Sequence, residues 1–245
     1  MAAIGVVTRP TIRVTLSPAN VVDVSPPSQD SRIVKMIQAM TASNYTSETA
    51  KKKQDIRRQA HENRRLQPNK DELSRQIIDR FMQLPEYAQA TTVLFYVDVR
   101  DEVRTRHALP EALASGKRIA IPYCVDGELE LFHLESMEEL DIGMYKILEP
   151  KRELRQLPDK RLHPHDLDLI MVPGVAFDRT GGRTGHGKGY YDKLLQHARP
   201  DTPLIGIAFE CQMFPEIPVD DHDIYMDKVI TENAVYEGKG RSGER

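Results

Sequence analysis

The segment DLDLIMVPGVAF, at residues 166–177, is an almost unbroken apolar run that leads directly into a glycine-rich loop. Such a run is typical of a strand covered on both faces, the usual situation in a parallel sheet. Other β-branched and aromatic segments predict further strands. They are TTVLFYVDV (91–99), KRIAIPYC (117–124), ELELFHL (128–134), PLIGIAF (203–209) and DKVITEN (227–233). The Asp126-Gly127 pair predicts a hairpin turn.

Helical segments alternate with these strands. Residues 47–66 are basic and rich in helix formers, and Asn69 with Glu72 resembles a capping box that opens a second helix over 70–84. Two shorter helices are predicted, over 104–115 with Gly116 as its end and over 189–198. The alternation predicts an α/β fold with a three-layer, Rossmann-like open sheet, mostly parallel, and helices on both faces.

The composition along the chain predicts three regions. Residues 1–46 contain several prolines and no sustained amphipathic pattern, so a loosely ordered extension is expected. Residues 47–235 are expected to form one α/β domain. Residues 236–245 are expected to form a flexible tail.

The charge balance argues against nucleic acid or membrane as a partner. The formal net charge is -3 over 245 residues, which creates no global field for polyanions. No apolar run reaches the roughly 18 residues of a membrane helix. Cys124 and Cys211 lack metal-ligand spacing and are predicted to be buried free thiols, which fits a reducing, cytoplasmic location.

The loop GGRTGHGKGYYDKLL, residues 181–195, has the composition of a phosphate-binding site. Gly185, Gly187 and Gly189 allow the main chain to approach phosphate oxygens without an intervening Cβ. Arg183 and Lys188 supply cationic donors. The helix that follows would present its first N–H groups to an anion.

Two familiar nucleotide-binding patterns do not fit this loop. The Walker pattern is nearly met by Gly182 to Lys188, but Gly189 stands where a magnesium-binding hydroxyl is required. The Rossmann fingerprint fails because no glycine follows Gly187 at the required spacing. A glycine-rich connection with incidental charge is the alternative that the residues alone leave open.

The longer segment MVPGVAFDRTGGRTGHGKGYYDKLL (171–195) resembles the signature of the 5-formyltetrahydrofolate cyclo-ligase family, also called methenyltetrahydrofolate synthetases. The likeness extends over about residues 50–233. It includes AKKKQDIRRQ (50–59), VRDEVRT (99–105), MYKILEP (144–150) and PVDDHDIYMDKVIT (218–231). The chain departs from the family at Arg104, where an acidic residue usually precedes the threonine.

The resemblance implies a monomeric ligase that uses ATP and Mg²⁺ to convert 5-formyltetrahydrofolate into 5,10-methenyltetrahydrofolate, with release of ADP and phosphate. Phosphorylation of the formyl oxygen would turn a poor leaving group into a good one, and the nitrogen at position 10 would then close the ring. Phosphoryl transfer of this kind needs mainly positioning and charge neutralisation.

The resemblance also assigns residues to these roles. The expected ATP-binding residues are Lys53, Arg57, Arg183, Gly185, Gly187, Lys188, Gly189 and Tyr190. The expected catalytic residues are Tyr191, Lys188 and Arg183. The expected folate-binding residues are Glu102, Glu149 and Tyr191. Asp192 and Asp223 are expected to hold magnesium, which prefers carboxylate and phosphate oxygens.

Other interpretations stay open at the level of sequence. Lys53 lies in a charge run, which is usually a solvated helix face, and Tyr190 or Tyr191 could belong to the core. Arg104 leaves room for a paralogue that keeps the nucleotide loop but acts on another small metabolite. The basic first helix leaves room for a non-catalytic module that binds nucleotide or RNA.

Overall fold

The computed structural model describes residues 31–143, 147–220 and 223–241, with side chains from residue 48 onward. Its contacts divide the chain into a unit of residues 1–48 and a unit of residues 49–245. The helices are α1 (Ser31–Leu66), α2 (Lys70–Met82), α3 (Pro85–Gln89), α4 (Leu109–Ala114) and α5 (Tyr190–Gln196). The strands are β1 (Thr92–Leu94), β2 (Arg118–Val125), β3 (Glu128–Leu134), β4 (Leu140–Ile142), β5 (Leu148–Pro150), β6 (Arg161–Leu162), β7 (Leu169–Pro173), β8 (Ala176–Asp178), β9 (Arg183–Thr184), β10 (Leu204–Ile207), β11 (Met213–Phe214), β12 (Lys228–Ile230) and β13 (Val235–Glu237).

Among the described residues, eight strands form one sheet in the order β13-β12-β10-β7-β1-β2-β3-β6. The strands from β12 to β2 pair in parallel, whereas β13, β3 and β6 join antiparallel at the edges. The β2–β3 hairpin turns at Asp126 and Gly127, both with positive φ, as predicted. Two small sheets, β11-β8-β9 and β4-β5, lie outside the main one.

The side chains of the central strands alternate between two apolar cores, as expected for a sheet covered on both faces. Leu169 and Met171 of β7 pack in one core with Phe81 of α2. Ile170, between them, packs in the other core with Leu194 of α5. The predicted three-layer α/β fold with a mostly parallel sheet is therefore confirmed.

The apolar run at 166–177 does not form a single strand. It divides into β7 of the main sheet and β8 of a separate small sheet. The division falls at Gly174, where a Cβ would lie 2.5 Å from the Phe177 ring. Glycine therefore permits the turn that takes the chain away from the main sheet, and β8 then pairs with β9 at the start of the glycine loop.

The predicted capping box before α2 is absent. Asn69 precedes the helix, but its φ is 54° and its side chain makes no capping hydrogen bond. In this left-handed conformation the Asn69 side chain is not placed as an N-cap acceptor, which requires an extended backbone. The helix itself forms at the predicted place, because its apolar residues Ile77, Ile78 and Phe81 are buried.

The helix predicted over 104–115 is shorter than expected. A 3₁₀ turn at Arg106–Ala108 comes first and only then α4. The Asp98 carboxylate accepts hydrogen bonds from the backbone N–H groups of Thr105 and Arg106, each at 3.0 Å, and holds the chain outside a helical path. Gly116, with φ of 78°, follows the end of the helix as predicted.

The predicted domain limits, at residues 46 and 235, stay predictions, but regular structure lies on both sides of each of them. Residues 31–46 are helical as the first part of α1, in a stretch without proline or glycine. The remainder of the predicted extension, residues 1–30, lies outside the described residues. At the other end, β13 pairs with β12, and Arg241 donates to the carbonyl oxygens of Ala198 and Thr202. Residues of the predicted C-terminal tail therefore make contacts with the rest of the domain.

Both cysteines are free thiols, as predicted, but neither is fully buried: Cys124 is exposed and Cys211 is partly buried. The alternation of side chains along β2 turns Cys124 toward solvent, while its neighbour Tyr123 is buried. Within the described ranges, no helix combines the length and the apolarity needed to cross a membrane.

Candidate active site

One face of α1 lies along the glycine loop. Lys53, Arg57, His61 and Arg64 follow one another at intervals of four, four and three residues, so they share this face. We call these four residues the α1 stripe. Ala60 is fully buried beside them in a small core that includes β8, which holds the helix against the loop.

Arg57 contacts the middle of the glycine loop, at Gly185 and Gly187. Its Nε donates a hydrogen bond of 2.8 Å to the carbonyl oxygen of Gly185. Gly187 and Gly189 have φ of 86° and 67°, a left-handed conformation that glycine adopts without strain. A Cβ at Gly187 would lie 3.6 Å from the Arg57 guanidinium, whereas one at Gly189 would meet nothing within 4 Å. The loop therefore presents open main chain beside a cation.

Lys53 is buried and paired, contrary to the solvated-face interpretation. Its Nζ lies 2.7 Å from Asp220 Oδ2 and also forms an ion pair with Asp223. Burial alone would lower the pKa of Lys53, but the hydrogen bonds that its ammonium donates to Asp220 and Asp223 outweigh burial and raise that pKa above its ordinary value. Lys53 therefore carries a permanent positive charge between two carboxylates.

Arg183 and Asp192 form a second buried pair. The Arg183 side chain is only 4% exposed, and its Nη2 forms an ion pair with Asp192 Oδ1 in the first turn of α5. Its Nη1 donates to the carbonyl oxygen of Pro173 at 3.4 Å. Arg183 Nε has no hydrogen-bond partner among the described residues, although it is buried. A buried donor of this kind costs free energy unless a ligand satisfies it.

Lys188 and Tyr190 occupy the outer part of the loop. Lys188 is exposed, and its Nζ lies 5.7 Å from the centre of the Tyr190 ring. This cation–π contact is weak in an exposed position, so Lys188 can leave it for an anion. The helix that follows is shorter than predicted, at seven residues. Cations and loop amides, more than a helix dipole, therefore make this region attractive to phosphate.

Tyr191 is partly buried and packs against both cores of the domain. Burial raises the pKa of Tyr191, and the nearby Glu102 carboxylate raises it further. The hydroxyl therefore stays protonated at physiological pH and can donate a hydrogen bond. The interpretation of Tyr191 as a core residue is therefore compatible with its predicted role in the site.

Glu102 faces the loop from the turn after β1. Its Oε2 accepts a hydrogen bond of 3.0 Å from the backbone N–H of Val99. Its Oε1 lies 3.6 Å from His186 Nε2, and the His186 ring lies beside His61 of the α1 stripe, with ring centres 5.3 Å apart and ring planes tilted by 30°. The structure thus brings Glu102 together with the glycine loop.

Glu149 and Arg104 lie in other contacts. Glu149 of β5 forms an ion pair of 3.0 Å with Arg155, and no hydrogen bond or ion pair among the described residues joins it to the loop. Arg104 forms an ion pair with Asp71 of α2, and its backbone N–H donates to Ser74. A surface pocket of about 650 Å³ beside Arg104 contains no residue of the loop.

The two predicted magnesium ligands are each engaged with a cation. Asp192 pairs with Arg183, and Asp223 pairs with Lys53. Within the part of the chain that the structure describes, no group of three or more His, Cys, Asp or Glu residues has the geometry of a metal site. Residues 221 and 222, next to Asp223, lie outside that part.

Three residues of the site escaped the sequence analysis: Asp220, His61 and Arg64. Arg64 is buried and donates to the carbonyl oxygen of Gly174 at 3.5 Å. The helical spacing of His61 and Arg64 from Lys53 and Arg57 was a usable signal, because it places all four side chains on one face. Asp220 had no such signal, since its contact with Lys53 joins residues far apart in sequence.

The chain is similar to proteins of one enzyme family. The sequence model of the 5-formyltetrahydrofolate cyclo-ligase family matches residues 49–232. A protein of Schizosaccharomyces pombe named probable 5-formyltetrahydrofolate cyclo-ligase is 35% identical over 67% of this chain and 86% of its own length. The 5-formyltetrahydrofolate cyclo-ligase of Escherichia coli K12 is 33% identical over 68% of this chain and 91% of its own length.

A solved structure is also similar. The 5,10-methenyltetrahydrofolate synthetase of Aquifex aeolicus superposes with a TM-score of 0.66 at 33% identity, covering 76% of this chain and 92% of that chain. The family match covers most of the chain and includes the α1 stripe, Glu102 and the glycine loop. This chain therefore belongs to the 5-formyltetrahydrofolate cyclo-ligase family.

Proposed function

We propose that the chain is an ATP- and Mg²⁺-dependent ligase that converts 5-formyltetrahydrofolate into 5,10-methenyltetrahydrofolate. The formyl oxygen takes the terminal phosphoryl group of ATP, and ADP leaves. The nitrogen at position 10 then bonds to the formyl carbon and gives up its proton to water. The formyl oxygen departs with the phosphate, so the phosphorylated formyl group is the intermediate.

The observation that carries the proposal is the open glycine loop beside the cations of α1. Gly187 and Gly189 hold left-handed conformations that leave the main chain accessible, and Arg57 is bonded to the same loop. The buried Nε of Arg183, which has no hydrogen-bond partner within the described part of the chain, is a donor that a phosphate oxygen would satisfy. Lys188 adds an exposed cation, and Gly185 and Tyr190 complete the proposed ATP-binding segment.

The two buried ion pairs fit a site that takes a magnesium–triphosphate complex. When bound, magnesium neutralises charge on phosphate oxygens. Asp192 and Asp223 offer the carboxylate oxygens that this ion prefers. Arg183 and Lys53, released from these carboxylates, would hold the phosphates. The site would then exchange internal ion pairs for equivalent pairs with the ligand.

The folate would lie against Glu102 and Tyr191. The Tyr191 hydroxyl, kept protonated by burial, can donate to the formyl oxygen. Glu102 has one carboxylate oxygen directed away from its backbone anchor and toward the loop. For Glu149, which is bonded to Arg155, we propose a peripheral contact with the folate that replaces this ion pair.

The direct test uses the purified full chain with 5-formyltetrahydrofolate, ATP and Mg²⁺. Formation of methenyltetrahydrofolate absorbance, with one ADP released for each product molecule, is expected. Omission of ATP or addition of a chelator should stop both signals. A folded protein that makes no product, or makes it without ATP, would contradict the proposal.

The same preparation distinguishes the alternatives. A paralogue would bind ATP but leave 5-formyltetrahydrofolate unchanged, and Arg104→Asp would then be expected to increase folate binding. An RNA-binding module would bind RNA with strong salt dependence. We further propose that the protein acts as a cytoplasmic monomer without a nucleic-acid partner, which sedimentation and cell fractionation can test.

A further inference from the structure

Three separate elements meet at one carboxylate, Glu102. α1 contributes His61, the turn after β1 contributes Glu102, and the glycine loop contributes His186. We propose that His61 and His186 are a positioning pair that makes the binding of folate to Glu102 depend on a single proton. The inference rests on the proposed function, because it assumes that Glu102 binds the folate.

The two oxygens of Glu102 have different surroundings. Oε2 is anchored by the backbone N–H of Val99 at 3.0 Å. Oε1 is directed toward His186 Nε2 at 3.6 Å, just beyond hydrogen-bond length. The Glu102 side chain is only 13% exposed, so leaving Oε1 without a hydrogen-bond or ion-pair partner costs free energy. A neutral His186 leaves this oxygen for a ligand, whereas a protonated His186 forms an ion pair with it.

His61 limits the pair to one proton. Its partial burial lowers the pKa of His61, and the positive charges of Arg64 and Arg100 with His186 lower it further, against the opposite effect of Glu102. A neutral His61 ring can lie against a positively charged His186 ring, but two charged rings 5.3 Å apart would repel each other. The pair therefore admits a single positive charge, and His186 is the ring that has the carboxylate oxygen of Glu102 beside it.

The other charged groups near His186 cannot replace Glu102 as the acceptor for its imidazole. Arg57 approaches the neighbouring Gly187, and Lys188 follows on the loop itself. Both are cations and cannot accept a proton from an imidazole. The His186 side chain is 54% exposed, so it exchanges protons freely and can move away without disturbing the core. Folate and the protonated imidazole therefore compete for the same carboxylate oxygen.

The first test compares KM for 5-formyltetrahydrofolate at pH 7.5 and pH 5.5. Histidine is the side chain whose charge generally changes between pH 5 and 8, so KM should be higher at pH 5.5 than at pH 7.5 if only the neutral form admits folate. His186→Gln should remove this rise, and His186→Lys, with a permanent charge, should show a high KM at both pH values. The KM for ATP should not follow the same profile.

The chain offers a matched control. His165 stacks on His163 with ring centres 5.4 Å apart, and its Nε2 lies 3.5 Å from Asp166, on an exposed turn. His165→Gln removes a histidine of the same surroundings outside the loop, and it should keep the wild-type pH profile. Equal pH dependence in wild type and His186→Gln would overturn the inference.

A second measurement does not depend on activity. In the full-length protein with ¹⁵N-labelled histidine, loss of the negative charge in Glu102→Gln should move the titration of His186 to lower pH by NMR, while His165 is unaffected. This result without any methenyltetrahydrofolate formation would refute the proposed function and support the pairing. No movement of the His186 titration would overturn the pairing, whatever the activity.

Discussion

Arg57→Met should weaken ATP binding by a predictable amount. The Nε of Arg57 donates to the carbonyl oxygen of Gly185 at 2.8 Å, and its guanidinium lies beside Gly187. Methionine keeps much of the aliphatic stem but removes the donor and the charge. The loop would lose its attachment to α1, and a phosphate would lose one cation.

The size of the effect follows from the hydrogen bond. A bond from a charged donor contributes about 1.5–3 kcal/mol. Arg57 is only partly buried, so solvent screening reduces this contribution to about 1–1.5 kcal/mol. Because about 1.4 kcal/mol corresponds to a factor of ten, the KM for ATP should rise about five- to twelvefold.

The neighbouring Arg58 provides the control. Its side chain is 80% exposed and pairs with Asp55 within the helix, a contact that contributes little to stability. Arg58→Met should change the KM for ATP less than about twofold by the same estimate. Arg57→Lys, which keeps the charge without the Nε donor, should lie between wild type and Arg57→Met.

The assay is the initial rate of methenyltetrahydrofolate formation against ATP concentration, at saturating folate and Mg²⁺. Thermal unfolding of each variant without ligand separates a binding defect from a folding defect. If Arg57→Met and Arg58→Met raise the KM for ATP equally, the contact with Gly185 does not position the loop, and the reasoning fails.

Three further outcomes are expected. Arg183→Met leaves Asp192 without its cation and should lower kcat by about 100-fold or more, as for other charge-stabilising donors; a loss below tenfold would contradict this role. Gly189→Ala should lower the unfolding free energy by about 1–2 kcal/mol, because a φ of 67° is strained for alanine. The expected readout is a lower Tm, and an unchanged Tm would contradict the strain at this position. Burial alone would raise the pKa of Asp168, but hydrogen bonds from Thr92, Arg199 and Thr91 outweigh burial and hold that pKa below its ordinary value of 3.8. A depressed pKa stabilises the fold above that ordinary value and ceases to do so as the pH falls through the folded value. Urea unfolding should therefore show Asp168→Asn less stable by about 1 kcal/mol at pH 7, with the difference shrinking below about pH 4.

Local sequence patterns were sufficient to predict most strand positions, the glycines of the loop and the family. Strand positions followed from apolar runs such as 203–209, because burial on both faces of a sheet needs apolar side chains on both sides of the strand. The glycines at 187 and 189 were identified by type, since left-handed backbone is easiest for glycine. The motif from 171 to 195 identified the family through residue types at fixed spacing.

Only the tertiary structure decided which of these groups meet. The pairing of Lys53 with Asp220 and of His186 with Glu102 joins side chains far apart in sequence, and no periodic pattern encodes such distances. The departure of β8 from the main sheet depends on how closely the Phe177 ring approaches Gly174, a packing contact invisible in a list of residue types. Periodicity reports which side of an element is buried, whereas the partner of a charge is settled by how the elements pack.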